Sequence, residues 1–173
     1  GRILQVLDRY EALQDPGRPI PFGAIAIHGI TDAMVKGRRI DARRAGLLLS
    51  AAEICLAHNS GFDRGFVAQV LPESTVRLWG CTCRDIPWKS LCPAVGSTSL
   101  QRLARYFGCQ GRTAHRALGD VETTMRLVDL PGLQGGLAFQ HCILHRKVRR
   151  EGLAPQAVLL ADPGFLAGLE PAF

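Results

Sequence analysis

Residues 54–63 read Ile54-Cys55-Leu56-Ala57-His58-Asn59-Ser60-Gly61-Phe62-Asp63. Ile54 to Ala57 is a short apolar run that suits a strand. His58 to Gly61 breaks that run, and a helix opens at the same junction. Phe62, Phe66, Val67 and Val70 recur at helical spacing, which predicts an apolar face turned to the core, and Pro72 closes the helix. Val76 to Cys83 then reads as another strand.

Working outward, Arg2 to Leu13 is rich in Ile, Leu, Val and Tyr and predicts a strand. The proline-rich run from Pro16 to Pro21 ends it, because proline has no N–H to give a ladder. Phe22 to Val35 predicts two short helices around Gly29, the second capped by Thr31 or Asp32. Asp41 is placed as the N-cap of a helix running through Leu47, Leu48, Leu49 and Ala52. On the other side, Asp85 to Ser97 predicts an irregular loop. Ser97-Thr98-Ser99 caps a helix from Leu100 to Phe107, which Gly108 stops. A last helix fits Leu118 to Leu130, with Val121, Met125 and Val128 on one face and Pro131-Gly132 behind it. This order of strands and helices predicts an α/β domain with a mixed β-sheet flanked by helices. It divides the chain into residues 1–130, the domain, and residues 131–173, a Gly- and Pro-rich extension without a motif.

The composition is that of a globular protein: 173 residues, 47% hydrophobic and 21% charged, which excludes a disordered tail or a disulfide-dense miniprotein. A formal net charge of +6 suits a phosphate-bearing partner without identifying one. Six cysteines without a C-x-x-C pair fit reduced thiols in a cytoplasmic protein. Cys81, Cys83 and Cys92 lack the spacing that would complete a tetrahedral zinc set. The longest low-charge stretch, Ala45 to Ala57, is too short to span a bilayer, so no membrane is expected.

Two segments carry chemistry. Asp63 falls in the first turn of its helix, where the positive end of the macrodipole favours an ionised carboxylate. A carboxylate there, beyond the end of a strand, suits Mg²⁺, which prefers oxygen ligands; its simpler role is to stabilise the helix terminus. The second segment is His115-Arg116-Ala117-Leu118-Gly119-Asp120. Residues five apart on a helix point about 140° from each other. His115 and Asp120 therefore converge only if His115 lies on the non-helical lead-in and Asp120 in the first turns. A histidine so placed, with an ordinary pKa near neutrality, suits a general base that activates water.

Together, Asn59-x-x-Phe62-Asp63 after an apolar strand and His115-x-x-x-x-Asp120 opening a helix resemble the second and third motifs of the DEDDh family of 3′–5′ exonucleases. That family includes the epsilon subunit of DNA polymerase III and ribonuclease T. Pro19-Ile20-Pro21 followed by Ile27-His28-Gly29-Ile30-Thr31-Asp32 adds to the resemblance, which covers Arg2 to Leu130. The resemblance implies a ribonuclease-H-like fold and hydrolysis of phosphodiester bonds at the 3′ end of single-stranded DNA or RNA. It implies two divalent cations, Mg²⁺ or Mn²⁺, with Asp63 and Asp120 as metal ligands and His115 as the base. His28, Gly29 and Ile30 match the part of the family that lies near the terminal nucleotide. Asn59, Phe62 and Arg116 are further candidates for substrate binding, although Phe62 also fits the core.

The family's first motif, Asp-x-Glu on a strand, has no counterpart from Gly1 onward. Asp8 and Glu11 are three apart and would point to opposite faces of a strand, and Glu122 sits in the last helix. The expectation is that this motif precedes Gly1. Lys36, Arg38, Arg39, Arg43 and Arg44, with Arg112 and Arg116 flanking His115, would either contact phosphates or form a solvated basic face. The alternative to an enzyme is a catalytically degenerate module that binds nucleic acid or a polymerase on the same fold. A DNA polymerase subunit is a candidate partner. An uncovered sheet edge or the apolar tail Leu153 to Phe173 would allow a homodimer.

Overall fold

A computed structural model of the chain describes residues 3, 5–111 and 115–130. Seven helices and two strands are assigned among them: α1 (Phe22–His28), α2 (Asp32–Val35), α3 (Ala42–Ala51), β1 (Cys55–Ala57), α4 (Ser60–Val70), β2 (Trp79–Cys81), α5 (Trp88–Leu91), α6 (Leu100–Tyr106) and α7 (Ala117–Val128). Expectations placed on Arg112 and on residues 131–173 lie outside the described residues.

The strand pair β1–β2 is parallel, with Cys55 opposite Trp79, Leu56 opposite Gly80 and Ala57 opposite Cys81. The ladder continues at both ends, as Cys55 N–H donates to the Leu78 carbonyl (2.8 Å) and Thr82 N–H to the Ala57 carbonyl (3.1 Å). Parallel strands need a crossover, and α4 supplies it. The chain leaves β1, turns through Asn59 in the left-handed region at φ 70°, and starts α4 at once. Asparagine tolerates that conformation better than most residues with a Cβ.

The core lies among β2, α5, α6 and α7. Trp88, Leu103 and Leu127 are fully buried, together with Ile86, Val95 and Val128. The Trp88 ring meets Phe107 at 6.0 Å between centroids, and its indole N–H donates to the Thr82 carbonyl (2.6 Å). That bond satisfies the polar handle that a buried tryptophan would otherwise leave unpaired. As expected, Asp41 caps α3, its carboxylate accepting from Arg44 N–H (3.0 Å).

Four local expectations are corrected. The described part of the Arg2–Leu13 run forms no strand: residues 5–13 are irregular and mostly exposed. Among the described residues no strand pairs with this run, and polar ties hold it instead. Arg9 bridges to Glu122 of α7 (2.6 Å), Arg44 of α3 to Asp8 (3.1 Å), and Asp41 N–H donates to the Tyr10 hydroxyl (2.7 Å). The strand expected from Val76 to Cys83 is shorter, because a 3₁₀ turn over Pro72–Val76 carries the chain to Arg77. The Asp85–Ser97 loop contains α5 and a 3₁₀ turn at Pro93–Val95. The face of α4 predicted to be buried is largely open: Phe62 is 64% and Phe66 56% exposed. These two rings stack on each other at 4.8 Å. Phe66, Val67 and Val70 face a groove of about 940 Å³ that α3, α7 and residues 6–18 also line. The spacing of apolar residues finds a face of the helix but not the element that covers it.

Leu103→Ala is expected to cost about 3 kcal/mol of unfolding free energy, the usual loss at a site that cannot collapse. Urea denaturation checks it. A loss below about 1 kcal/mol would mean that the core centres elsewhere.

Candidate active site

The site assembles at the ends of β1 and β2, where α4 begins and α7 approaches. Asp63 lies in the first turn of α4, and Asp120 in the first turn of α7. The spacing argument for His115 holds. α7 starts at Ala117 with Arg116 as its N-cap in extended backbone, so His115 is on the lead-in. Its own backbone is left-handed, at φ 62°. Its peptide N–H donates to Asp120 Oδ1 (3.3 Å), and the residue is exposed.

Asp63 and Asp120 are electrostatic neighbours. The Asp63 carboxyl is raised above its ordinary value, first by burial and further by the negative charge of Asp120, with its own backbone N–H opposing both. The helix terminus favours the ionised form of Asp63, and desolvation works against it and outweighs the favourable amide. Two half-buried carboxylates that feel each other's charge suit an oxygen-seeking divalent cation, whose charge would relieve their repulsion. Among the described residues no group of three or more His, Cys, Asp and Glu side chains is gathered for a metal.

The other candidates fall on the same side of the molecule in part. Arg116 Nη1 donates to the His28 carbonyl (3.4 Å), tying the start of α7 to the end of α1. His28 Nδ1 accepts from Ile30 N–H (2.9 Å), and Gly29 ends α1 at φ 69° with its N–H on the Ile25 carbonyl. The left-handed turn there is one that glycine makes without strain. Asn59 Oδ1 accepts from Arg84 Nη2 (3.0 Å). Phe62 is exposed on α4, apart from the core residues. Lys36, Arg38, Arg39 and Arg43 are exposed, whereas Arg44 is engaged with Asp8 and stacks over Tyr10 at 5.1 Å.

Several contributors carry no motif signal. Gln101 Nε2 donates to Asp120 Oδ1 (3.1 Å). Gly111 N–H donates to Thr123 Oγ1 (3.0 Å), and a Cβ on Gly111 would meet that oxygen at 2.5 Å and the Gly119 carbonyl at 2.9 Å. Glycine thus lets the backbone at position 111 press against α7. His58 is also engaged, on Thr82 and Thr98. A hydrogen-bonding residue far away in sequence leaves no spacing to find.

Residues 1–128 match the model of the Exonuclease family. The chain is 32% identical over 127 residues to a PolC-type DNA polymerase III of Listeria welshimeri, covering 71% of this chain and 9% of that protein. It is 39% identical over 66 residues to a DNA polymerase III subunit epsilon-like protein of Rhodobacter capsulatus, covering 34% of this chain and 8% of the other. Among solved structures it is similar to exonuclease X in complex with 5′ overhanging duplex DNA. That match has a TM-score of 0.52 and 32% identity, over 68% of each chain. The chain spans under a tenth of the length of these polymerase relatives. Among the described residues no helix is long and apolar enough to cross a membrane.

The raised Asp63 carboxyl sets a sign. A group held above its unfolded value binds its proton more tightly in the folded state, so its contribution to stability falls as pH rises past about 3.8. Asp63→Asn is accordingly expected to melt a few degrees higher than the parent at pH 7, with the gap closing as pH is lowered towards 4. Calorimetry at the two pH values tests this; a lower melting temperature at pH 7 would contradict the reading.

Proposed function

The chain belongs to the Exonuclease family of DEDDh nucleases, and from that premise we propose that it hydrolyses phosphodiester bonds from the 3′ end of single-stranded DNA or RNA. The observation that carries this reading is the convergence of Asp63, Asp120 and the His115 lead-in at one end of the parallel pair. Asp63 and Asp120 are the residues that would hold two divalent cations, Mg²⁺ or Mn²⁺. Bound there, such ions supply positive charge to the phosphate under attack.

His115 serves as the general base. Its exposed imidazole takes a proton from a water molecule, whose oxygen then attacks the phosphorus of the terminal phosphodiester. The 3′ oxygen of the preceding nucleotide leaves, releasing a nucleoside 5′-monophosphate. The Asp120 contact holds the His115 backbone while leaving the ring to approach substrate. His28, Gly29 and Ile30 receive the terminal nucleotide, since Arg116 fastens them to the helix bearing Asp120. Asn59 is the N-cap of the helix that carries Asp63, with Arg84 on its amide oxygen, and the exposed Phe62 ring offers a face for base stacking. Arg116 adds positive charge for the strand. The likeness to polymerase III proteins supports a polymerase subunit as partner, and a homodimer is a second arrangement. Residues 1–130 form the nuclease unit and residues 131–173 an extension.

His115→Ala is expected to lower Mn²⁺-dependent degradation of a 5′-labelled single-stranded oligonucleotide by about 10²–10⁴-fold and to leave the circular dichroism unchanged. Asp120→Asn is expected to do the same. Parental rates in either variant would end this assignment. Salt-sensitive binding of the oligonucleotide by the parent protein, without product, would instead indicate a non-catalytic module.

A further inference from the structure

His58 stands at the turn from β1 into α4, five residues before Asp63, and both of its ring nitrogens are occupied. Nε2 lies 2.8 Å from the Thr98 carbonyl. A carbonyl only accepts, so Nε2 carries the proton and Nδ1 is left as an acceptor. Nδ1 lies 3.0 Å from Thr82 Oγ1, which therefore donates to it. Burial pulls the ring's pKa below its ordinary value, with the Thr98 carbonyl and the charge of Asp120 opposing, a shift in the direction of the neutral form that both bonds require.

Each partner belongs to a different part of the site. Thr82 is fully buried. Its N–H closes the ladder on Ala57 (3.1 Å), and its carbonyl receives the Trp88 indole (2.6 Å). It is thus the fixed end of β2. Thr98 leads into α6, which starts at Leu100 and carries Gln101. The Gln101 amide in turn donates to Asp120 Oδ1 (3.1 Å). One ring therefore joins the strand pair to the loop that aims Gln101 at Asp120, and it does so from the segment that also sets Asp63.

We infer that His58 is a positioning residue that holds Asp120 in register with Asp63, acting through Thr98, α6 and Gln101. The inference rests on the two-carboxylate reading of the site. His58 does not serve as a second base, because neither ring nitrogen is left to take a proton from water. Its part resembles that of groups that orient ligands from outside a coordination sphere, whose loss commonly weakens metal binding about 10–100-fold.

Two variants separate positioning from mere stabilisation. His58→Leu removes both bonds at similar volume, whereas the amide of His58→Gln can still donate to Thr98 and accept from Thr82. The readouts are Mn²⁺ binding by calorimetry and, without metal, hydrogen exchange of the Gln101 side-chain amide by NMR. Expected for His58→Leu is Mn²⁺ affinity about tenfold weaker, with faster exchange at Gln101, in a protein that still folds; His58→Gln recovers most of both. A folded His58→Leu protein with parental exchange at Gln101 and parental Mn²⁺ affinity overturns the inference. If the parent binds no Mn²⁺, it is the metal reading that fails, and Gln101 exchange alone decides the inference. Should His58→Leu not fold, Thr82→Val removes only the Nδ1 bond and carries the same comparison.

Discussion

Two carboxylates brought together where water is partly excluded repel each other, and much of this molecule is arranged to hold them there. Asp63 is lifted above the ordinary carboxylate range by burial and by Asp120. In the absence of a neutralising partner such a pair opposes folding, so the elements bearing it need independent support. Asp63 has the start of α4, fixed by the left-handed turn at Asn59. Asp120 has α7, which buries Leu127 and Val128 two turns further along. Hydrogen bonds from His115 N–H and Gln101 then set the direction of the Asp120 carboxylate. A site that costs stability and is built upon a well-packed core is the common arrangement in proteins that bind charged ligands.

The support is uneven across the fold. β2, α5, α6 and α7 share a packed core around Trp88 and Leu103. Residues 5–13 and the outer faces of α3 and α4 depend on polar ties and border an open apolar groove. Exposed ion pairs such as Arg9–Glu122 contribute little, about 1 kcal/mol at most. The position of α7 therefore comes from its packing on α6 and not from the segment that crosses its surface.

Much of this was legible in the chain. The break at His58-Asn59-Ser60-Gly61 located the strand-to-helix junction, and Asp41 located the start of α3, because a capping carboxylate acts on amides three residues away. A five-residue separation lets His115 and Asp120 converge only if His115 precedes α7 and Asp120 lies within it; the chain has that arrangement, and the His115 peptide N–H reaches Asp120. Other features were beyond such reading. Residues 5–13 have the composition of a strand, yet a strand exists only where a neighbour completes its ladder. Phe62 and Phe66 keep helical spacing with Val67 and Val70, yet exposure depends upon what packs there. Proximity to the α4 terminus favours an ionised Asp63, whereas burial and the charge of Asp120, 57 positions along the chain, push its carboxyl up.

The sequence by itself determined the junction of β1 with α4, the starts of α3 and α7, the two carboxylate-bearing motifs and the family they point to. These depend on interactions within a few residues, which spacing and residue type record directly. Only the tertiary structure decided that Asp63 and Asp120 share an environment, that Gln101 and Gly111 serve the approach to α7, and that His58 bridges Thr82 and Thr98. Those contacts join residues 12 to 57 positions apart, and distance along the chain carries no measure of distance in space until the core has closed.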